Sequence, residues 1–333
     1  MNNHISIIAA FVLAFTELSI MSFSANAQQV DYSVVAVREE AGTDFTCISS
    51  DNDYVCMPKV VRSKKGVNWY SNKILDISKD GKRIAFLSKR ANATNIFIKD
   101  IDKAGASVQR TNRSAVQDFS FSPDGKSIAF TEAIGQTNSV FQTDANNGFV
   151  CRQITSGAKD FGPSYSNDMT KIFFSRQETK NISIWSYDFS NNFLSSYTNG
   201  FGPYPEPGST AIYCSRQSSD GRCEIWRVDY ASGIEECIVS SQQQSFASPS
   251  LSPDNTQLVF VGSSMISEGS FVYWNTDIYV CNIDGTGLRR LTYHAADDLS
   301  PVWSKDGNYI YFISQRGSAN GIANIWKMQY SKQ

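Results

Sequence analysis

The sequence predicts an all-β protein: a six-bladed β-propeller of four-stranded antiparallel blades, closed by an N-terminal strand. Three observations predict it. A turn recurs as Ser78-Lys79-Asp80-Gly81, Ser122-Pro123-Asp124-Gly125, Ser166-Asn167-Asp168-Met169, Pro207-Gly208, Ser252-Pro253-Asp254-Asn255 and Ser304-Lys305-Asp306-Gly307. Each turn leads into a β-branched and aromatic run, then an aliphatic–aromatic pair: Ile96-Phe97, Val140-Phe141, Ile184-Trp185, Ile225-Trp226, Ile278-Tyr279 and Ile325-Trp326. From turn to turn the period is 44, 44, 40, 46 and 52 residues, and a period in the forties holding several short strands marks propeller blades.

The elements follow in chain order. Residues 1–27 read as a secretory signal. Ile5 to Phe15 is an apolar stretch of 11 residues, too short to span a bilayer, and Ala25-Asn26-Ala27 offers a cleavage site before Gln28. Residues 28–69 contain two strand-like runs, Tyr32–Val37 and Asp44–Ile48. Residues 70–333 carry the repeats. In each unit the residues before the turn form the innermost strand and those after it the second. The aliphatic–aromatic pair lies in the third strand, and the fourth ends at Thr111, Thr155, Thr198, Ser240 or Thr292. The sixth unit stops without a fourth strand, which would leave an unpaired edge. The N-terminal segment is expected to supply it, so that first and last residues meet in one sheet.

Within the turns, Gly accepts positive φ and Asp bonds nearby backbone N–H groups, so both are structural. Arg90, Arg176, Arg216 and Arg316 follow the second strand in four units. Their repetition favours a structural pair between neighbouring blades over a ring of anion-binding forks.

Thirty basic and 32 acidic residues give a formal charge of −2. This interleaved charge offers no electrostatic case for nucleic acid or for an anionic membrane surface, and no transmembrane segment is expected. Seven cysteines follow the signal. Cys47 and Cys56 flank one polar turn and Cys214 and Cys223 another, so each pair is expected to bridge a hairpin. Without Cys-x-x-Cys, a zinc knuckle is not expected. His294 is the one histidine after the signal. With no Gly-x-Ser-x-Gly elbow, no multi-histidine metal site and no singled-out carboxylate pair, the chain reads as non-enzymatic and without cofactor.

Ser122-Pro123-Asp124-Gly125-Lys126-Ser127-Ile128-Ala129-Phe130, and the run from Leu299 to Gly307, resemble the WD40-like (PD40) propeller repeats of the TolB family. The resemblance covers residues 70 to 330. It implies an exported envelope protein, periplasmic or outer-membrane-associated, that works by contact with other envelope proteins. About 45 residues lie between the expected signal and the first repeat, too few for the separate N-terminal α/β domain of TolB, so contacts made by that domain are not implied here.

One surface stands out. The second-to-third-strand connection takes 25 residues from Asp254 to Tyr279 in the fifth unit, against 17 in the first three. The excess, Ser263 to Thr276, carries Phe271, Tyr273 and Trp274 and is expected as an exposed aromatic loop. Asp297, Asp298 and His294 in the following connection, with Asp160 in the third unit, are expected at the same channel mouth. This surface suits an envelope protein partner; the alternative is a glycan held by the acidic mouth.

Overall fold

The computed structural model describes residues 43–63, 66–68, 73–103, 105–268 and 271–332. The expected signal and the Tyr32–Val37 run lie outside the described residues. Apart from a single 3-10 turn, Asp51–Asp53, the described elements are strands: β1 (Thr43–Cys47), β2 (Val61–Ser63) and β3 (Gly66–Asn68), then groups of four. The first group is β4 (Leu75–Ile77), β5 (Arg83–Arg90), β6 (Ala93–Asp100) and β7 (Val108–Gln109). The second is β8 (Val116–Phe121), β9 (Ser127–Ile134), β10 (Thr137–Asp144) and β11 (Cys151–Gln153). The third is β12 (Lys159–Tyr165), β13 (Lys171–Gln177), β14 (Ile182–Asp188) and β15 (Phe193–Asn199). Next come β16 (Phe201–Pro205), β17 (Ala211–Gln217), β18 (Cys223–Asp229) and β19 (Glu235–Val239). They are followed by β20 (Ser245–Leu251), β21 (Gln257–Glu268), β22 (Phe271–Asn282) and β23 (Arg289–Arg290). The last group is β24 (Asp298–Trp303), β25 (Tyr309–Ser314) and β26 (Asn324–Gln329), with β1 as its fourth member.

Within each group the strands pair antiparallel in chain order, and a single parallel pairing, Asn138 with Lys159, joins the second group to the third. The first strands touch in a cycle: β4 on β8, β8 on β12, β12 on β16, β16 on β20, β20 on β24 and β24 on β4.

The repeated residues explain this arrangement. In five turns the Ser hydroxyl donates to the Asp carboxylate at 2.6 Å, as in Ser78 to Asp80 and Ser304 to Asp306. The fourth turn residue takes positive φ, whether it is Gly81, Gly125 or Gly307 or, in two turns, Met169 and Asn255. Register then sets aromatic residues opposite one another: Phe86 faces Phe97, Phe130 faces Phe141, Phe174 faces Trp185, Phe260 faces Tyr279 and Phe312 faces Trp326. These second-strand rings are fully buried, and each contributes about 1.5–3 kcal/mol by leaving water.

Neighbouring groups are latched by the first strands. Gly162, Gly202, Ser248 and Ser300 take positive φ directly before Pro163, Pro203, Pro249 and Pro301, and the pairing register shifts there. Proline suits an edge strand because it has no N–H to satisfy. The N–H groups of Gly202 and Ser248 donate to the buried hydroxyls of Ser175 and Ser215 in the preceding group, both at 3.0 Å. At the equivalent seam Gly162 donates to Asp118 at 2.9 Å, and the Thr131 hydroxyl donates to the other carboxylate oxygen.

The N-terminal segment joins the last group to the first. Cys47 pairs with Trp326, Ile48 N–H donates to Ile325 O at 2.9 Å, and the Ser49 hydroxyl bonds Asn324 at 2.6 Å. The chain then turns through Asp51–Asp53, and Cys56 N–H donates to Leu87 O at 2.9 Å. Buried Asp53 accepts from Lys99 at 2.8 Å, the Ser107 hydroxyl at 2.7 Å and Ser50 N–H at 3.0 Å.

The expected disulfides are corrected. All seven cysteines are free thiols. Cys214 faces Trp226 and Cys223 faces Gln217, a three-position offset that separates the sulfurs by more than a bridge can span. Cys47 lies on the outer strand β1, whereas Cys56 has passed to the first group, so the turn between them is no hairpin.

Two predictions follow from the seams. Burial opposes the charge on Asp53, but Lys99, Ser50 and Ser107 outweigh it and hold the carboxyl below its ordinary value. Its stabilisation is therefore present at neutral pH and lost as pH falls through that depressed pKa. Asp53→Ala, which strands Lys99, is expected to cost about 3–5 kcal/mol in urea unfolding at pH 7; equal midpoints would show that the segment fastens nothing. Asp118 is the opposite case: burial, against its bonds to Thr131 and Gly162, pushes its pKa up to about 7. Stability should decline as pH rises from about 4 to about 7 and then level off. Asp118→Asn keeps an acceptor for Gly162 and is expected to be more stable than the parent at pH 8 by about 2–4 kcal/mol and equal at pH 4; parallel pH profiles would refute this.

Candidate functional site

The first strands frame a cup of about 360 Å³. Its wall includes the residue that ends a first strand: Ile77, Phe121, Tyr165, Pro205, Leu251 and Trp303. Its rim is made by the turns, through Lys79, Pro123, Asn167, Pro207, Pro253 and Lys305. The rim positions interlock. A Cβ on Gly81 would stand 3.3 Å from the Cβ of Lys305, and one on Gly125 would stand 3.0 Å from that of Lys79. Glycine eases both the close approach and the positive φ at these two positions.

The cup continues into a narrow space of about 40 Å³, lined by the Gly-Pro and Ser-Pro kinks and by Lys73. That space admits a few waters at most. Lys73 is tied to Asp76 at 2.9 Å, and Asp76 also accepts from Phe121 N–H at 2.9 Å. The carboxylates of Asp80 and Asp306 are held by Ser78 and Ser304, bonds that keep both pKa values below the usual range. Both carboxylates therefore stay ionised, and exposed Lys79 and Lys305 are the charged turn residues that line the cup. A recess of mixed polar and apolar lining with two lysines on its edge can receive a chain end or loop tip; the Lys73–Asp76 pair in its lining is held by the Phe121 N–H.

The sequence-predicted residues lie elsewhere, and most are structural. Residues 263–268 and 271–276 are paired strand: β21 and β22 stay in register from Gln257 opposite Asn282 to Glu268 opposite Phe271. The side chains of Phe271 and Tyr273 lie outside the described residues, and Trp274 packs half-buried on the core beneath. Asp160 is fully buried and accepts both Arg176 bonds, at 2.7 and 3.0 Å. Asp298 is also fully buried, paired with Arg316 at 2.5 Å. Neither points into a channel mouth, because a carboxylate at the start of the first strand meets the arginine that ends the second. Asp297 accepts from the Thr276 hydroxyl at 2.7 Å. His294 is buried, its Nδ1 accepting from Ala296 N–H at 2.9 Å, and burial with nearby Arg316 lowers its pKa. Asp277, which the sequence did not single out, joins this group: burial, with Asp298 and Asp297 nearby, raises its pKa well above normal despite Arg290 at 2.6 Å.

The arginines are structural; their charged partners lie within their own group, and Arg216 also reaches Thr198 and Asn199 of the preceding group. Arg176 and Arg316 pair with the first strand of their own group, and Arg216 pairs with Glu235 at 2.8 Å. Arg90 bonds the Ser107 hydroxyl at 2.8 Å. Each guanidinium also lies over a third-strand ring, at 3.9 Å for Arg90 on Phe97, 4.6 Å for Arg176 on Trp185, 4.2 Å for Arg216 on Trp226 and 5.9 Å for Arg316 on Trp326. The cup itself was missed by sequence reasoning. Its signal was the apolar residue directly before nearly every recurring turn.

Comparison with known proteins gives one family match and three similar structures. Residues 57–226 and 217–333 match the family model PD40, TolB beta propeller domain. A putative TolB from Agrobacterium tumefaciens shares the fold with TM-score 0.59 and 18% identity, over 78% of this chain and 90% of that one. TolB from Acinetobacter baumannii has the same TM-score and identity, over 75% of this chain and 64% of that one. An oligogalacturonate lyase from Vibrio parahaemolyticus matches with TM-score 0.57 and 12% identity, over 92% of this chain and 97% of that one. At these identities the likeness is one of fold. Among the described residues no group of three His, Cys, Asp or Glu side chains is placed to hold a metal ion, and no helix is long and apolar enough to cross a membrane.

The burial of Asp298 generates a prediction. Asp298→Asn leaves Arg316 without its counter-charge and is expected to lower stability by about 3–5 kcal/mol in chemical denaturation. A variant as stable as the parent would mean that the carboxylate is not part of the scaffold.

Proposed function

Since the chain belongs to the TolB beta propeller (PD40) family, we propose that it is a non-catalytic, exported interaction scaffold of the cell envelope. In this reading it is a six-bladed propeller closed by β1, which docks a segment of an envelope partner in the cup. The cycle of first-strand contacts and the pairing of β1 with β26 support the closed ring. The observation that carries the function is the cup itself. It is a recess of mixed polar and apolar lining edged by Lys79 and Lys305, built on the ends of the first strands and the turns that follow them. The expected export signal supports a periplasmic or outer-membrane location in this reading.

The test is capture from crosslinked envelopes. Lys79→Glu combined with Lys305→Glu changes two exposed rim residues, and is expected to reduce capture of the main partner about tenfold while leaving Tm unchanged, with the loss largest at low salt. Undiminished capture by a folded double variant would remove the cup from this role.

A further inference from the structure

A second recess, of about 400 Å³, lies apart from the cup, where the outer strand β15 meets the fourth group. That volume is within the range of small-ligand sites, about 300–1,000 Å³. Its lining is almost wholly polar: Glu178, Asn181, Ser196, Asn199, Arg216 and Glu235 carry the chemistry. The donors are fixed in place. Arg216 lies over Trp226 at 4.2 Å and bonds Asn199 O at 3.1 Å, Glu235 at 2.8 Å and the Thr198 hydroxyl at 2.7 Å. Thr198 in turn donates to the other Glu235 oxygen at 2.6 Å. A guanidinium has five N–H groups, so two remain for a ligand. Asn181 Nδ2 donates to Asn199 Oδ1 at 2.7 Å. This leaves the Asn181 carbonyl as an acceptor beside the Asn199 amide as a donor.

From this alternation of fixed donors and acceptors we infer that the recess is a binding site for an uncharged oligosaccharide. Neighbouring ring hydroxyls each donate and accept, which the amide pair and the remaining Arg216 N–H groups match. Two carboxylates against one guanidinium disfavour an anionic sugar. The inference does not rest on the cup or on its partner.

The test is calorimetric titration of the full chain with maltotetraose, the tetramer of N-acetylglucosamine, and tetragalacturonate. At least one neutral sugar is expected to bind with Kd of about 1 mM or tighter, and tetragalacturonate at least about tenfold more weakly because of Glu178 and Glu235. Asn181→Ala and Asn199→Ala alter exposed side chains. Each should weaken neutral-sugar binding about fivefold with Tm unchanged, while the Lys79→Glu, Lys305→Glu protein binds sugar like the parent. No binding of either neutral sugar, preference for tetragalacturonate, or undiminished binding by both asparagine variants would overturn the assignment.

Discussion

The structure depends on how the free edge of each first strand is satisfied. A strand at the edge of its group presents N–H and C=O groups that no ladder partner meets, and such groups are costly when shielded from water. In four of the first strands the edge bends at a positive-φ residue and the next position is a proline with no N–H, and at Gly162, Gly202 and Ser248 the N–H at the bend is handed to the preceding group. Gly202 to Ser175 and Ser248 to Ser215 are the plain form of this bond. The same bend opens the space that becomes the narrow end of the cup, so one backbone device both fastens the groups and shapes the recess.

Charge is used in a similarly economical way. The buried carboxylates Asp160 and Asp298 are each matched by an arginine that also covers an aromatic ring, through both oxygens in Asp160 and through Oδ2 in Asp298. Such pairs add register more than net stability, because removing two charges from water offsets much of their attraction. Asp118 differs in having hydroxyl and amide donors but no cation among the groups that set its pKa. One seam is thereby sensitive to pH where its neighbours, latched by serine, are not. The charges left exposed at the cup, Lys79 and Lys305, are the ones without a structural duty in the turn.

The fold was legible from the sequence to a considerable depth. The β-turn signature, the buried run and the aliphatic–aromatic pair lie within about 20 residues of one another and encode local structure, so a one-dimensional reading recovers them. The N-terminal strand was also legible, because a last unit lacking its outer strand poses a question that only another strand-like run can answer. The site was read less well. An aromatic-rich insertion looks alike whether it forms a loop or lengthens a hairpin, and only the pairing of Glu268 with Phe271 distinguishes the two.

By itself, then, the sequence determined an all-β chain of repeated four-strand units, the chemistry of their turns, the structural character of the arginines and the kinship with TolB-like repeats. Tertiary structure alone decided which polar residues are spent and which are available. Asp298 and Lys305 are both charged residues of the last repeat, yet one is buried against Arg316 and the other stands on the rim of a cup. Whether a charge is satisfied depends on residues brought beside it from other strands, and spacing along the chain does not carry that information. The same holds for the cysteines, where a three-position offset across two strands leaves as free thiols a pair that flanks one hairpin turn.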